Sequence, residues 1–311
     1  MKGKWVKVAA PATISNIGPG FDIFGMALGD PSDVIEVRKT DDEGIVITEI
    51  TGPGADTITK DPKKNSAGIA ASAVLEKSGA DFGLEIKIKK GIRPCSGIGS
   101  SGASAAGGAY AAHLICGEKL TDNQLIMCAA MAEDVTSGGL HADNVAPCIL
   151  GGFTMVRSYE PFEAVRIEPP ADLGVVVAMP DVYVSTKEAR AVLPAEVKVK
   201  DLVFHVGNAS CMVHALYTGD IDMMGRSAKD AVFEPARTHL IPHLKEAEAT
   251  AMSLGAKASF LGGSGPCVIS FFSKRENDGT QIAAGIREMY GSKGMRCDAW
   301  VTGPGKGCRR L

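Results

Sequence analysis

Residues 94–104 read Pro-Cys-Ser-Gly-Ile-Gly-Ser-Ser-Gly-Ala-Ser, a run of small residues between a predicted strand and a predicted helix. Small residues let the backbone amides of a loop face an anion without obstruction by side chains. A helix that begins at such a loop adds its unpaired N–H groups and its dipole to that attraction. The stretch therefore indicates a phosphate-binding loop, and a tight turn before a buried helix is the alternative interpretation.

Two other phosphate motifs match this loop less well. Residues 97–102, Gly-Ile-Gly-Ser-Ser-Gly, fit the G-x-G-x-x-G pattern of a nicotinamide-dependent oxidoreductase. However, the preceding strand at 83–90 alternates with lysines that we expect on its solvent face, and no acidic residue ends a second strand at the required distance. A Walker loop requires Gly-Lys-Ser/Thr after its glycines, and the sequence contains no such tripeptide.

The segments around the loop predict an α+β chain. In the first half, strands are predicted at 4–10, 33–39, 45–50, 83–90 and 151–158, and helices at 66–78, 121–132 and directly after the loop. In the second half, strands are predicted at 173–179, 266–272 and 295–301, and helices at 186–192, 201–217, 221–231, 240–253 and 277–290. A length of 311 residues suits two domains, which we place at 1–160 and 161–311.

Composition excludes several classes of protein. The net charge of −3 provides no basic field for nucleic acid or anionic lipid. No apolar run approaches the length of a membrane span, and the first residues lack the apolar core of a signal peptide. The eight cysteines are scattered without a C-x-x-C pair, which favours a reducing compartment over a disulfide framework or a zinc site. We expect a cytoplasmic protein with small-molecule partners, no nucleic acid and no membrane.

The loop resembles the P-x-x-x-G-L-G-S-S-A-A nucleotide loop of the GHMP kinases, whose ATP site is unrelated to Walker proteins. Two companion motifs agree, APATISNIGPGFDIFGMAL at 10–28 and GGSGPCV at 262–268. The chain departs from the pattern by Gly102 in place of alanine, by Ile98 in place of leucine and by a spacer one residue shorter after Pro94, and none of these changes removes a donor. The resemblance implies an N-terminal domain like the second domain of ribosomal protein S5 and a ferredoxin-like C-terminal domain.

Within this family the chain resembles the branch that phosphorylates L-homoserine. The matching motifs are N-I-G-P-G-F-D at 16–22, H-A-D-N-V-A-P at 141–147, T-K-E-A-R at 186–190 and E-P-A-R at 234–237. The resemblance implies transfer of a phosphoryl group from ATP, with Mg²⁺, to the hydroxyl of L-homoserine, giving O-phospho-L-homoserine on the route to threonine. It also implies a homodimer.

The same motifs imply which residues bind the substrate. Guanidinium groups hold a carboxylate in a bidentate grip, for which Arg190 and Arg237 are candidates. An ammonium group requires a carboxylate, which Asp22 or Asp143 supplies. The residues expected to orient the hydroxyl and complete the pocket are Asn16, His141 and Asn144.

The resemblance places ATP in the loop and magnesium beside it. The expected nucleotide contacts are Asn65 at the adenine and Pro94, Cys95, Ser96, Gly97, Ile98, Gly99, Ser100 and Ser101 at the phosphates. Ser101 and Glu133 are the expected magnesium ligands, with Asp134 as the alternative acid. Phosphoryl transfer depends mainly on positioning and charge neutralisation, so a strong general base is not required. Among the catalytic candidates Asp22, Asn144 and Glu133, we therefore favour substrate anchoring for Asp22.

Three alternatives remain at this point. Another GHMP kinase would act on mevalonate, shikimate or a sugar, but these substrates lack the ammonium group that a pocket of arginines and aspartates matches. A nicotinamide-dependent oxidoreductase would bind NADH tightly and not ATP. A non-catalytic metabolite sensor would bind ATP without turnover of any small alcohol.

Overall fold

The computed structural model describes residues 3–137 and 139–311. The strands are β1 (Val6–Ser15), β2 (Phe24–Thr40), β3 (Ile45–Thr51), β4 (Gly83–Lys89), β5 (Phe153–Tyr159), β6 (Phe162–Ile167), β7 (Leu173–Pro180), β8 (Ala258–Leu261), β9 (Val268–Ser273), β10 (Cys297–Thr302) and β11 (Arg309–Arg310). The α-helices are α1 (Ser66–Ser78), α2 (Ser100–Ile115), α3 (Asp122–Ser137), α4 (Val145–Leu150), α5 (Thr186–Ala191), α6 (Val199–Thr218), α7 (Ile221–Ser227), α8 (Phe233–Arg237), α9 (Leu244–Ser253) and α10 (Thr280–Ser292).

The first sheet is mixed and carries the phosphate loop. Its order is β11-β1-β2-β4-β3, and β2 also pairs with β5, which pairs with β6. Among the described strands only β3 and β4 pair in parallel. The dinucleotide interpretation of the loop requires a parallel sheet of βαβ units, so this largely antiparallel arrangement does not support it.

Helix α2 packs unusually closely against β1, β2 and α1, as its alanine and glycine content predicts. A methyl group on Gly107 would lie 2.6 Å from the Ile35 side chain, and one on Gly108 would lie 2.5 Å from the carbonyl oxygen of Ala67. Both glycines therefore permit close packing, which offsets their roughly 1 kcal/mol helix cost. This packing holds α2 against the neighbouring strands β1 and β2 of the first sheet.

The second sheet is antiparallel, in the order β10-β7-β9-β8, with α9 and α10 packed against it. Along the chain its elements follow as β7, α9, β8, β9, α10 and β10. A β-α-β-β-α-β succession with the first strand between the fourth and third is the ferredoxin-like arrangement. The predicted α+β class and ferredoxin-like second half are confirmed.

The predicted division between residues 160 and 161 falls in the turn of the β5–β6 hairpin, and both strands of this hairpin belong to the first sheet. The two sheets separate between β6 and β7, and β11 returns from the C-terminal half to pair with β1. Division by sheets therefore places the boundary between Ile167 and Leu173. The pairing of β11 with β1 joins the two halves of the chain. The domain limits stay a prediction.

Candidate active site

A cavity of about 770 Å³ lies where the predicted motifs meet. Its walls come from the phosphate loop and the first turn of α2, from α3 and the residue before α4, from the segment around α5, and from the β8–β9 loop. The lining residues are Cys95, Ser96, Gly97, Gly99, Ser100, Ser101, Gly102, Glu133, Asn144, Tyr183, Val184, Ser185, Thr186, Lys187, Arg190, Gly263, Ser264 and Gly265. Sequence motifs from both halves of the chain thus face one space.

The phosphate loop presents the amino end of α2 to this cavity. Gly99 is the residue before the helix, and its backbone is left-handed, with φ 68° and ψ 33°. Ser100 fixes the turn because its hydroxyl donates to the carbonyl of Ile92 at 3.0 Å. The Ser101 hydroxyl lies 2.9 Å from that of Ser66 on α1. The amino end of a helix of 16 residues is therefore oriented toward the cavity, where its dipole favours an anion.

Three predicted nucleotide contacts lie away from this cavity. The Asn65 side chain caps α1, accepting from Ala67 N at 3.0 Å and donating to the Thr59 carbonyl at 2.8 Å. Ile98 is buried, and its carbonyl accepts from the Thr13 amide at 3.2 Å. Pro94 is not among the lining residues. The structure does not bring these three side chains to the cavity, and their roles toward ATP stay predictions.

Asp22 is paired with Arg190, which lies 168 residues away in sequence. The two guanidinium nitrogens Nη2 and Nη1 donate to Asp22 Oδ1 at 2.7 Å and Oδ2 at 3.2 Å. His141 Nδ1 lies 3.8 Å from Asp22 Oδ2, and burial lowers the pKa of this histidine while Asp22 opposes the shift. A predicted ammonium ligand and a predicted carboxylate ligand therefore neutralise each other in this structure.

Asn16 holds Asp22 in place and links the two halves of the chain. Its Oδ1 accepts from the Asp22 amide at 2.8 Å, and its Nδ2 donates to the Gly263 carbonyl at 3.0 Å. The Gly263 amide in turn donates to the Ser15 carbonyl at 3.1 Å. Asn16 is thus a positioning residue for the β1–β2 loop, and the structure does not place it among the cavity-lining residues.

Arg237 lies behind the cavity and is 2% exposed. Its Nε donates to the Ala189 carbonyl at 2.9 Å, and its Nη1 donates to the Gly263 carbonyl at 3.2 Å. Burial lowers its pKa to about 10, and Arg190 contributes to that shift. Arg237 therefore ties α5 to the β8–β9 loop.

Phe21 contacts both candidate arginines and was not singled out by the sequence analysis. Its ring stacks on Phe233 with centroids 3.8 Å apart, and the guanidinium carbons of Arg190 and Arg237 lie 5.6 and 5.2 Å from its centroid. An aromatic ring attracts such cations. Its position directly before Asp22 in the N-I-G-P-G-F-D motif was the available signal.

Asn144 connects the end of β1 to the cavity wall. Its Oδ1 accepts from Thr13 Oγ1 at 2.8 Å, and its Nδ2 donates to Ser15 Oγ at 3.0 Å. These two bonds fix the orientation of the Asn144 amide. Asn144 and Gly99 of the phosphate loop both line the cavity. Neither Thr13 nor Ser15 was predicted, because a short hydroxyl residue within a strand gives no signal of its own.

Asp143 is 3% exposed and lies close to other charges. Burial raises its pKa to about 7 from an ordinary value of 3.8, and the Asp22 carboxylate adds to the shift. The Ser15 hydrogen bond and the positive charge of Arg190 oppose it, whereas Glu133 reinforces it. Asp143 thus exchanges its proton near neutral pH.

Replacing Asp143 with asparagine is expected to make stability less dependent on pH. Between the two pKa values the folded chain keeps a proton that the unfolded chain has lost, so wild-type stability falls as pH rises through about pH 4 to 7. The asparagine variant lacks this titration. Its stability relative to wild type should rise by up to about 1.4 kcal/mol per pH unit in that window and level off above it. Urea unfolding at several pH values between 5 and 8 measures this, and a difference that does not change with pH would contradict it.

Oxygen donors suited to magnesium are present. The Ser101 hydroxyl and the Glu133 carboxylate both line the cavity, whereas Asp134 is exposed and does not. Across residues 3–137 and 139–311, no group of three or more histidine, cysteine, aspartate or glutamate side chains is arranged to hold a metal. Magnesium typically takes one or two carboxylates and completes its shell with phosphate oxygens and water, so the donor set fits it.

The described helices include none long and apolar enough to cross a membrane.

Residues 65–152 match the family model of the GHMP kinases N terminal domain, and residues 212–292 match that of the GHMP kinases C terminal domain. The homoserine kinase of Methanococcus maripaludis is 42% identical over 306 residues, covering 98% of each chain, and that of Pyrococcus abyssi is 39% identical, covering 97% of this chain and 98% of the relative. The crystal structure of homoserine kinase from Cytophaga hutchinsonii superposes with a TM-score of 0.93 at 35% identity, covering 99% of this chain and 97% of that one. Motifs, fold and relatives agree, and the chain belongs to the GHMP kinase family, in its homoserine kinase branch.

Proposed function

We propose that this enzyme transfers the γ-phosphoryl group of ATP to the side-chain hydroxyl of L-homoserine, giving ADP and O-phospho-L-homoserine, a step toward threonine. The observation that carries the proposal is that two parts of the structure adjoin one cavity: the amino end of α2 lines it, and so does Arg190, the ion-pair partner of Asp22. One part attracts the phosphates of a nucleotide, and the other offers both charges that an amino acid requires. The full-length relatives named homoserine kinase support the same substrate.

The loop residues would bind and orient the nucleotide. Backbone amides at Gly97 to Ser101 and the dipole of α2 would hold the phosphates, and the Lys187 side chain adds a positive charge to the cavity. Asn144 lies beside the loop at the end of β1, where it would orient the acceptor hydroxyl. Because phosphoryl transfer is governed by positioning and charge neutralisation, these contacts account for most of the expected rate enhancement.

Ser101 and Glu133 would hold magnesium through their side-chain oxygens. When bound, the ion neutralises charge on the phosphate oxygens. The expected contribution of both residues is to fix the phosphates relative to α2.

The substrate would bind at Asp22 and Arg190, and its two charged groups would replace the direct ion pair between them. We propose that Asp22 binds the ammonium group with Asp143 and His141 beside it, and that Arg190 binds the carboxylate. Arg237, whose Nε and Nη1 are bonded to carbonyls, would support this pocket from behind. Mevalonate, shikimate and sugars lack the ammonium group, so they would leave the Asp22 charge unmatched.

A coupled assay of ADP release tests this function. It uses ATP and Mg²⁺ with L-homoserine, mevalonate, shikimate, galactose or L-threonine, and a reaction without acceptor measures background hydrolysis. Turnover selective for L-homoserine supports the proposal. Turnover on another alcohol would retain the kinase and overturn the assignment of Asp22 and Arg190, and ATP binding without turnover of any acceptor would favour a sensor.

We also propose that the enzyme is cytoplasmic and forms a homodimer. All eight cysteines are free thiols, six of them buried, which suits a reducing compartment. The dimer follows from the family resemblance and is tested by sedimentation equilibrium across a range of protein concentrations.

A further inference from the structure

A buried ion pair lies directly behind the phosphate loop. Lys90 follows β4 and Asp33 belongs to β2, and their side chains are 1% and 0% exposed. The Lys90 ammonium donates to Asp33 Oδ2, to the Ser104 hydroxyl at 2.9 Å and to the Ser100 carbonyl at 3.1 Å. The expectation that the lysines of this strand face solvent is therefore wrong for Lys90, whose position at the strand end places it under α2.

The second oxygen of Asp33 holds the entry to the loop. Its Oδ1 accepts from the amides of Gly91 at 2.9 Å and Ile92 at 3.0 Å. The Ile92 carbonyl accepts from the Ser100 hydroxyl, which closes the loop between its entry and the first residue of α2. One ion pair thus binds both ends of the segment 91–100.

Stability alone does not explain such a pair. Removing two charges from water costs several kcal/mol per ion, and apolar replacements of buried pairs are often neutral or stabilising. Here the contacts of both charges are directed at one loop and at the first turn of α2. Ser100, whose carbonyl Lys90 binds, lines the cavity. The arrangement is therefore better suited to fixing geometry than to adding stability.

We propose that Lys90 and Asp33 are positioning residues that set the amino end of α2 against the phosphate loop in the geometry that binds ATP. This inference rests on the proposed function for its substrate. Lys90 supplies the contact to α2, and Asp33 supplies the contact to the loop entry at Gly91 and Ile92. Loss of either residue would therefore let the loop shift relative to the amino end of α2. The L-homoserine side of the cavity does not contact the pair.

Lys90→Met is expected to raise KM for ATP by about tenfold or more while KM for L-homoserine changes less than twofold, because a displacement of about 1 Å in a phosphate site has effects of this size. The double variant Lys90→Met/Asp33→Asn removes both charges and keeps the two volumes, so it is expected to fold while still binding ATP weakly. Isothermal titration calorimetry measures the Kd for ATP directly, in addition to the kinetics.

Arg38→Met is the matched control. Arg38 of β2 and Glu85 of β4 form another ion pair, at the end of these strands away from the loop, with Nη2 and Oε2 2.5 Å apart. Its loss is expected to lower stability without changing KM for ATP. If Arg38→Met weakens ATP binding as much as Lys90→Met, the effect is general and the proposal is overturned.

The remaining outcomes separate this inference from the proposed function. Wild-type ATP affinity in the double variant would overturn the positioning role even if Lys90→Met alone did not fold. Weakened ATP binding in the double variant, with wild-type enzyme inactive on L-homoserine, would support the positioning role and reject the substrate.

Discussion

Replacing Gly99 with alanine is expected to lower kcat/KM for ATP by roughly a hundredfold. The backbone at Gly99 is left-handed, which costs an L-residue about 1–2 kcal/mol. An added methyl group would also overlap the Thr13 hydroxyl and lie 2.9 Å from Asn144 Oδ1. Those two atoms are hydrogen-bonded to each other, so the methyl group must break that bond or displace the loop from α2.

Gly117→Ala is the control that separates the cost of a left-handed backbone from the displacement of the phosphate loop. Gly117 follows the other end of the same helix with φ 79°, and a methyl group there would meet no atom within 4 Å. Both variants therefore bear a similar conformational cost, but only Gly99→Ala disturbs the site. Steady-state kinetics and thermal unfolding of both variants make the comparison. An equal and small loss of kcat/KM in the two variants would contradict the steric argument.

Much of the fold was predictable because its elements follow simple periodicities. The helix predicted at 66–78 coincides with α1, and the strand predicted at 83–90 ends one residue beyond β4. The first part of β2 was missed because Gly-Met-Ala-Leu-Gly-Asp-Pro resembles a loop. It becomes a strand through tertiary pairing, with β1 on one side and β5 on the other. Local sequence does not encode such partners.

The site was predictable in its parts but not in its pairings. Motifs identified Asp22 and Arg190 separately, yet their ion pair joins residues 168 positions apart in the chain. The Lys90–Asp33 pair gave no motif, and Lys90 was grouped with the solvent-facing Lys87 and Lys89 although its position in the alternation is that of the buried Ile86 and Ile88. What sequence lacks in both cases is the distance between remote side chains. A buried charge requires a partner, but the identity of that partner depends on the fold.

Replacing Asp22 with asparagine is expected to raise KM for L-homoserine by roughly 10- to 150-fold, with a much smaller change in kcat, because a lost hydrogen bond to a charged group costs about 1.5–3 kcal/mol. Asparagine keeps the shape of the side chain but offers no charge to the ammonium group. It also weakens the Asp22–Arg190 pair, so the kinetic effect alone does not identify which substrate group Asp22 binds.

Two analogues and one second variant resolve this ambiguity. 4-Hydroxybutanoate lacks the ammonium group, and homoserinol replaces the carboxylate with an alcohol. If Asp22 binds the ammonium group, Asp22→Asn loses the preference for L-homoserine over 4-hydroxybutanoate, whereas Arg190→Met loses the preference over homoserinol. Asp222→Asn is the control, because Asp222 also pairs with a cation, Lys257 at 2.7 Å, but lies outside the site. A large fall in kcat with unchanged KM in Asp22→Asn would instead make Asp22 a general base, since the loss would then arise in the transition state and not in substrate binding.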